Sequence, residues 1–354
     1  MVMGSARSAA TRVAARSARS AAARLRRGVR PPAGRHRPPP AGDPPVEVAL
    51  ATPAGTEELV RRLAEQVPFE AWEQAGWHLT ANHFYSPIPD TRELPEGLFD
   101  RASELPGIDM RDDEQVALLR GLHADFDAEF NALPREPAGP LEYFVNNLAF
   151  ESVDGELLYG LVRRSRPRRI VEIGSGWSTL CSLAALRRNV EEGAAGRIEA
   201  IEPYPYDFVR EVGADPLVEL RVTQLQDVSL DTFRTLEPGD ILFIDSSHVL
   251  RTGSDVQYEF LEVLPRLPAG VLVHVHDIFL PYEYPRRWLV DEHRFWNEQY
   301  LLQAFLIGNT GFEVVWGGSW MHDRHPDLLE AMIPSYDRTT RHPGSFWMRR
   351  LAVS

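Results

Sequence analysis

The chain has 354 residues, 44% of them hydrophobic, with one cysteine and a net charge of −13. That length supports one large core or two modest ones, and a lone Cys181 excludes an internal disulfide or a multi-thiolate metal centre. Ten arginines and no acid lie within residues 1–42, so the remainder carries 28 basic against 51 acidic residues. Such an acidic body repels a phosphate backbone and speaks against a nucleic-acid partner.

Residues 1–45 alternate Ala, Ser and Arg and then become proline-rich, which predicts a disordered tail. The tail lacks the apolar centre of a secretory signal, and its bias is similar to that of an organelle transit peptide. Every basic residue of the chain is Arg, however, which favours the plainer reading of a floppy tail. No apolar stretch reaches membrane-spanning length, so a soluble, cytoplasmic protein without a membrane span is expected. Thr56–Gln66 predicts a short amphipathic helix capped by Thr56. Gly76–Asp90 (GWHLTANHFYSPIPD) is rich in aromatics and histidine; His78, His83 and Tyr85 could line a pocket or simply pack in a connector. Asp113–Ala132 and Ser152–Arg164 carry leucines and phenylalanines at helical spacing, and with the first helix they suggest an N-terminal helical cap over residues 46–165.

From Arg168 the pattern alternates strand and helix, the mark of a doubly wound, mostly parallel α/β sheet occupying residues 166–354. Strands are expected at Ile170–Gly174, Arg197–Glu202, Val218–Thr223, Ile241–Asp245, Val271–Asp277 and Phe312–Trp316, with Ser345–Met348 returning as an antiparallel seventh. Helices are expected over Ser178–Asn189, Asp255–Leu264 and Glu292–Ile307. The first strand, an apolar run carrying Glu172, breaks at Gly174-Ser175-Gly176 before a helix begins. Glycines there allow a tight turn and close ligand approach, and the helix behind aims its free N–H groups at the ligand. This is a nucleotide-type loop, but a dinucleotide fingerprint wants a third glycine where Thr179 stands.

Two acids follow in register. Glu202 closes the second strand, where a carboxylate can accept hydrogen bonds from both ribose hydroxyls. Asp227 follows the third, placed to bond an adenine amino group. The fourth strand ends ILFIDSSH and the fifth VLVHVHDI. If those strands are neighbours, Asp245, His276 and Asp277 converge at the carboxyl edge as a hard donor set for Mg2+ or another divalent metal, with His248 above them. The plainer reading has the acids capping backbone N–H groups; a buried strand ending His-x-His-Asp nevertheless demands partners for every polar atom.

The stretches HFYSPIPD, VEIGSGWST, IEPYP, FIDSSHVLRTGSDV, HVHDIFLPYEYP and WNEQYLLQAF together resemble the class I S-adenosylmethionine (SAM) methyltransferases of the methyltransferase-24-like group. The resemblance runs from about residue 76 to the C-terminus. It implies a seven-stranded Rossmann-like fold and SAM held by Glu172, Gly174, Ser175, Gly176, Glu202, Asp227 and Asp245, with Glu172 fixing the aminoacyl end. The chain is further similar to metal-dependent O-methyltransferases of sugars and antibiotics. There an Asp ends the fourth strand, a His three residues on is the general base, and an acidic pair ends the fifth. Those features fall on Asp245, His248 and His276-Asp277, with His276 departing from the acid. The implied reaction is methyl transfer to a hydroxyl of a small-molecule or glycan acceptor, with Asp245 and His248 catalytic. Aromatic walls are expected from Tyr282, Tyr284, Trp288 and the Trp296–Tyr300 segment. A nicotinamide-dependent oxidoreductase and a non-catalytic SAM-fold protein are the alternatives, and a homo-oligomeric state stays open.

Overall fold

A computed structural model describes residues 52–352, so the tail expected over residues 1–45 lies outside the described residues. The described chain divides into two compact units, residues 52–94 and residues 95–352.

In the first unit, helix α1 spans Pro53–Gln66. Its N-cap is Thr52, not Thr56: the Thr52 hydroxyl accepts the Gly55 N–H at 3.1 Å and Pro53 supplies a preset first helical φ. Thr56 is one turn inside, donating its hydroxyl to the Thr52 carbonyl. His83 Nδ1 accepts the Tyr85 N–H at 3.0 Å, and His78 Nε2 lies 3.4 Å from Glu73. Both histidines thus find partners within their own segment.

The second unit is a seven-stranded sheet in the order β3-β2-β1-β4-β5-β7-β6. The strands are β1 (Arg169–Ile173), β2 (Arg197–Ile201), β3 (Val218–Arg221), β4 (Ile241–Ile244), β5 (Leu272–Val275), β6 (Phe312–Gly317) and β7 (Phe346–Arg350). The first five run parallel, and β7 pairs antiparallel with both β5 and β6. Side chains alternate between faces along each strand. Ile170, Ile198, Ile241, Phe243 and Leu272 point to a core shared with helices α2 (Asp112–Ala132), α3 (Asp154–Ser165) and α4 (Trp177–Glu191). Val171, Ile173, Leu242, Ile244 and Val273 point to the other core, with Phe260, Leu302 and Leu306. Helix α3 is fully part of the first core, its Leu157, Leu158, Leu161 and Val162 packed with Leu180 and Cys181 of α4, so Cys181 is the small buried hydrophobe its surroundings predict.

Two helices differ from expectation. The Asp255–Leu264 segment starts as an α-turn capped by Ser254, then widens into a π-turn over Glu259–Val263. The helix expected over Glu292–Ile307 begins only at Glu298, forming α5 (Glu298–Leu306). The reason is a prior claim on its first donors: the Asn297 and Glu298 N–H groups both bond the His248 carbonyl, at 3.1 and 3.2 Å. Those bonds replace the helical ones that would carry the pattern further back.

Candidate functional site

Strand order places β1 between β2 and β4, so the turn after β1 sits at the middle of the carboxyl edge. Gly174 has φ +79, and a Cβ there would lie 1.9 Å from the Asp245 carbonyl oxygen. Only glycine permits this crossing of the β1 and β4 ends. The loop is then tied by hydroxyls: Thr179 Oγ1 accepts the Gly176 N–H at 3.1 Å and donates to Glu172 Oε2 at 2.6 Å, while Ser178 donates to Glu172 Oε1 at 2.6 Å. Glu172 is buried, and burial pushes its carboxyl up to about 8 while the two hydroxyls hold it back. Glu172, expected at the aminoacyl end of a ligand, is engaged on both oxygens by the first turn of α4. The same alternation that buries Ile170 turns Glu172 toward α4.

Glu202 is the acid that faces the loop. Its Oε2 accepts the Ser175 N–H at 3.3 Å and its Oε1 the Tyr204 N–H at 2.6 Å. Burial raises its carboxyl, against these backbone bonds. Ser175 Oγ is buried without a partner among the described residues, an orphaned hydroxyl beside Glu202 that a ligand can satisfy. Asp227 is exposed at the end of the Leu225–Asp227 turn.

The second half of the edge is ionic. His248 is buried, and its Nδ1 lies 2.9 Å from Glu298 Oε2. Its Nε2 lies 3.2 Å from Asp245 Oδ1 and 3.7 Å from Asp277 Oδ2, while Trp296 covers the ring at 4.3 Å between centroids. His248 and Asp277 have φ of +59 and +57, the left-handed region that non-glycine residues enter only under constraint. Burial opposes a charge on His248, but hydrogen bonds to Asp245 and Glu298 raise its pKa well above the usual histidine value. Burial would raise Asp245, but the charge of His276 and the bond from His248 hold it at about 2. Asp245 and Asp277 stay accessible, with side-chain exposures of 33% and 18%.

His276 stacks near Phe150 and His274, with Nε2 3.6 Å from Asp277 Oδ1 and Nδ1 buried without a partner. Among the described residues no group of three or more His, Cys, Asp or Glu is gathered as a metal would need. The Asp245–His276–Asp277 set is thus brought to one edge but not closed on one point, because His248 lies between the two carboxylates.

Trp288 and Trp296 meet edge to face at 5.1 Å, with the Arg294 guanidinium over both rings at 4.8 and 5.2 Å. Tyr284, expected to wall the pocket, is buried, and its hydroxyl accepts the Gln299 N–H. Sequence reasoning missed Glu298 and Glu259. Glu298 fell inside the overlong helix, where an acid reads as ordinary. Glu259 became significant only because the π-turn buries it beside Ser246.

Among the described residues no helix is long and apolar enough to cross a membrane. The family model described as "Methyltransferase domain" matches residues 171–278. An uncharacterized protein of Archaeoglobus fulgidus is 36% identical over 179 residues, covering 48% of this chain and 78% of that protein. Of solved structures, the CmcI-N160 apo-structure is 16% identical, covers 58% of this chain and 73% of its own, and has a TM-score of 0.33. The plantazolicin methyltransferase BamL, in complex with a triazolic desmethylPZN analog and SAH, is 12% identical, covers 69% and 100%, and has a TM-score of 0.36.

Proposed function

The chain belongs to the class I SAM-dependent methyltransferases, and from that premise we propose that it methylates a hydroxyl of a small-molecule or glycan acceptor, with His248 as the base. The observation that carries this reading is a buried imidazole at the β4 end, with its Nε2 facing two accessible carboxylates beside the glycine loop.

The loop and Glu202 bind the cofactor in this reading. Glu202 trades its bonds to Ser175 and Tyr204 for ribose hydroxyls, Ser175 Oγ gains the partner it lacks, and Asp227 takes the adenine amino group. Gly174 and Gly176 give room for that approach. Asp245, ionised across the working pH range, presents negative charge where a sulfonium must come. An alcohol is a poor nucleophile until it loses its proton, and an imidazole within reach can take it. Three carboxylates surround His248 and favour the protonated ring in the free protein. Turnover therefore rises with pH through a value above the ordinary histidine range. Trp288 and Trp296 offer the acceptor an aromatic face adjoining His248, suited to stacking against the apolar side of a sugar.

The hard donor chemistry of Asp245, Asp277 and His276 Nε2 suits a divalent cation; the three share one edge without closing on one point, so they would have to draw together to hold it, and it would then acidify the acceptor hydroxyl. Labelled methyl transfer from SAM into small-molecule and glycan pools, with and without EDTA, tests both statements. Label in a hydroxyl-bearing product is expected, with turnover falling on chelation and SAM affinity unchanged. Turnover indifferent to EDTA removes the cation from the reading and leaves His248. Label on nitrogen or carbon alone overturns the hydroxyl acceptor.

A further inference from the structure

We propose that Glu298 is the positioning residue of the site, fixing through Nδ1 the ring orientation that makes His248 Nε2 the outward-facing nitrogen. The proposal rests on the reading of His248 as the base and extends it to a residue 50 positions away, inside the WNEQYLLQAF stretch but given no role there.

Three observations converge on it. Glu298 has no solvent-exposed surface, and its Oε2 meets His248 Nδ1 at 2.9 Å. An imidazole has two distinct ring nitrogens, and the hydrogen bond at one decides the tautomer and the direction of the other. The second observation concerns the backbone. His248 sits at φ +59, a conformation the loop alone does not favour, and its carbonyl accepts N–H bonds from Asn297 and Glu298. The Asn297 side chain also accepts the Leu250 N–H at 2.6 Å, so residues 297–298 grip the loop at the histidine and just after it. The third is the next residue. Gln299 accepts the Phe279 N–H at 2.6 Å, donates to the Tyr282 carbonyl at 2.9 Å, and its own N–H bonds Tyr284 Oη. The start of α5 therefore holds the loop after β4 and the loop after β5 together. Asp245–His248 and Asp277 face each other because one short segment is bonded to both loops.

A burial role alone would not require this carboxylate. A hydrophobic side chain would fill the volume at lower desolvation cost, whereas a buried carboxylate persists where it has a charged partner. The arrangement repeats, on an unrelated sheet, the logic by which a buried acid orients a catalytic histidine.

The test needs no acceptor. The full chain carrying 15N-imidazole histidine is loaded with S-adenosylhomocysteine, and its low-field ring N–H signals are recorded. His248→Ala removes one signal from the eleven histidines and so assigns it. A ring proton bonded to a carboxylate is expected at low field in the parent chain. In Glu298→Gln it should move upfield or vanish by exchange, because a neutral amide accepts more weakly than a carboxylate. The other histidine signals and the S-adenosylhomocysteine affinity should stay as they were. Glu298→Asp, one methylene shorter but still charged, covers the case of a poorly folded Gln variant and should give an intermediate shift. An unmoved His248 signal in the folded variants overturns the proposal. Failure of the parent reading looks different: His248→Ala would then transfer methyl groups at the parent rate, whatever the spectrum shows.

Discussion

At the β1–β2 end of the carboxyl edge, acids meet neutral donors; at the β4–β5 end they meet imidazoles. Glu172 is bound by two hydroxyls and Glu202 by two backbone N–H groups. Asp245, Asp277 and Glu298 are all turned toward His248. Neutral donors leave a carboxylate free to exchange its bonds for those of a ligand, and burial raises both Glu172 and Glu202. Charged partners pull the other way, lowering Asp245 and raising His248. In the proposed reading, one end would hold the hydroxyl-bearing part of the cofactor and the other would move a proton. The first is also local, assembled from residues 172–204, while the second needs Glu298 to close it.

The contrast can be broken most severely at the ionic end. His248→Ala should slow methyl transfer by about 100- to 10,000-fold, the usual range for losing a general base, while SAM affinity by calorimetry stays unchanged. A loss of SAM binding instead would merge the two ends into one function. Gly174→Ala attacks the place where they touch. Its methyl would strike the Asp245 carbonyl at a φ of +79, so we expect a destabilisation of about 2–4 kcal/mol, read as a lowered melting temperature. An unaffected melting temperature would mean the crossing is looser than it stands.

Glu202→Ala probes the neutral end. Removing bonds to a bound ligand should weaken SAM by about 1–3 kcal/mol without moving the pH profile that His248 sets. A further probe is a pH dependence. The Glu172 carboxyl rises from 4.5 to about 8 on folding, so the folded chain keeps a proton that the unfolded chain releases. Its contribution to stability is complete below pH 4.5 and is lost as pH climbs toward 8. Glu172→Gln, neutral throughout, should flatten that part of the denaturation profile, and an identical slope in the variant would refute the assignment.

Much of this was legible in the residues. The glycine loop, the order of strands and helices, and the acids at strand ends follow from apolar runs broken at Gly174, Glu202, Asp245 and Asp277. The roles of those acids were less legible. Glu172 and Glu202 both read as ligand acids, and only the fold shows that the alternation of β1 also brings Glu172 to the Ser178 and Thr179 hydroxyls of α4. His276 read as a metal ligand; its Nε2 lies 3.6 Å from Asp277 Oδ1, and its Nδ1 is buried without a partner among the described residues. Tyr284 read as a wall and is buried.

By itself, then, the sequence determined what is periodic or local: the mostly parallel sheet, the turn that only glycine can make, and the acids that end each strand. Tertiary structure alone decided which neighbours those acids bond, and it recruited Glu298 to His248. The reason is physical. Side-chain alternation and turn chemistry act over a few residues and leave a pattern. A hydrogen bond between positions 248 and 298 is fixed only when two loops, each free in isolation, are bonded to the same first turn of α5.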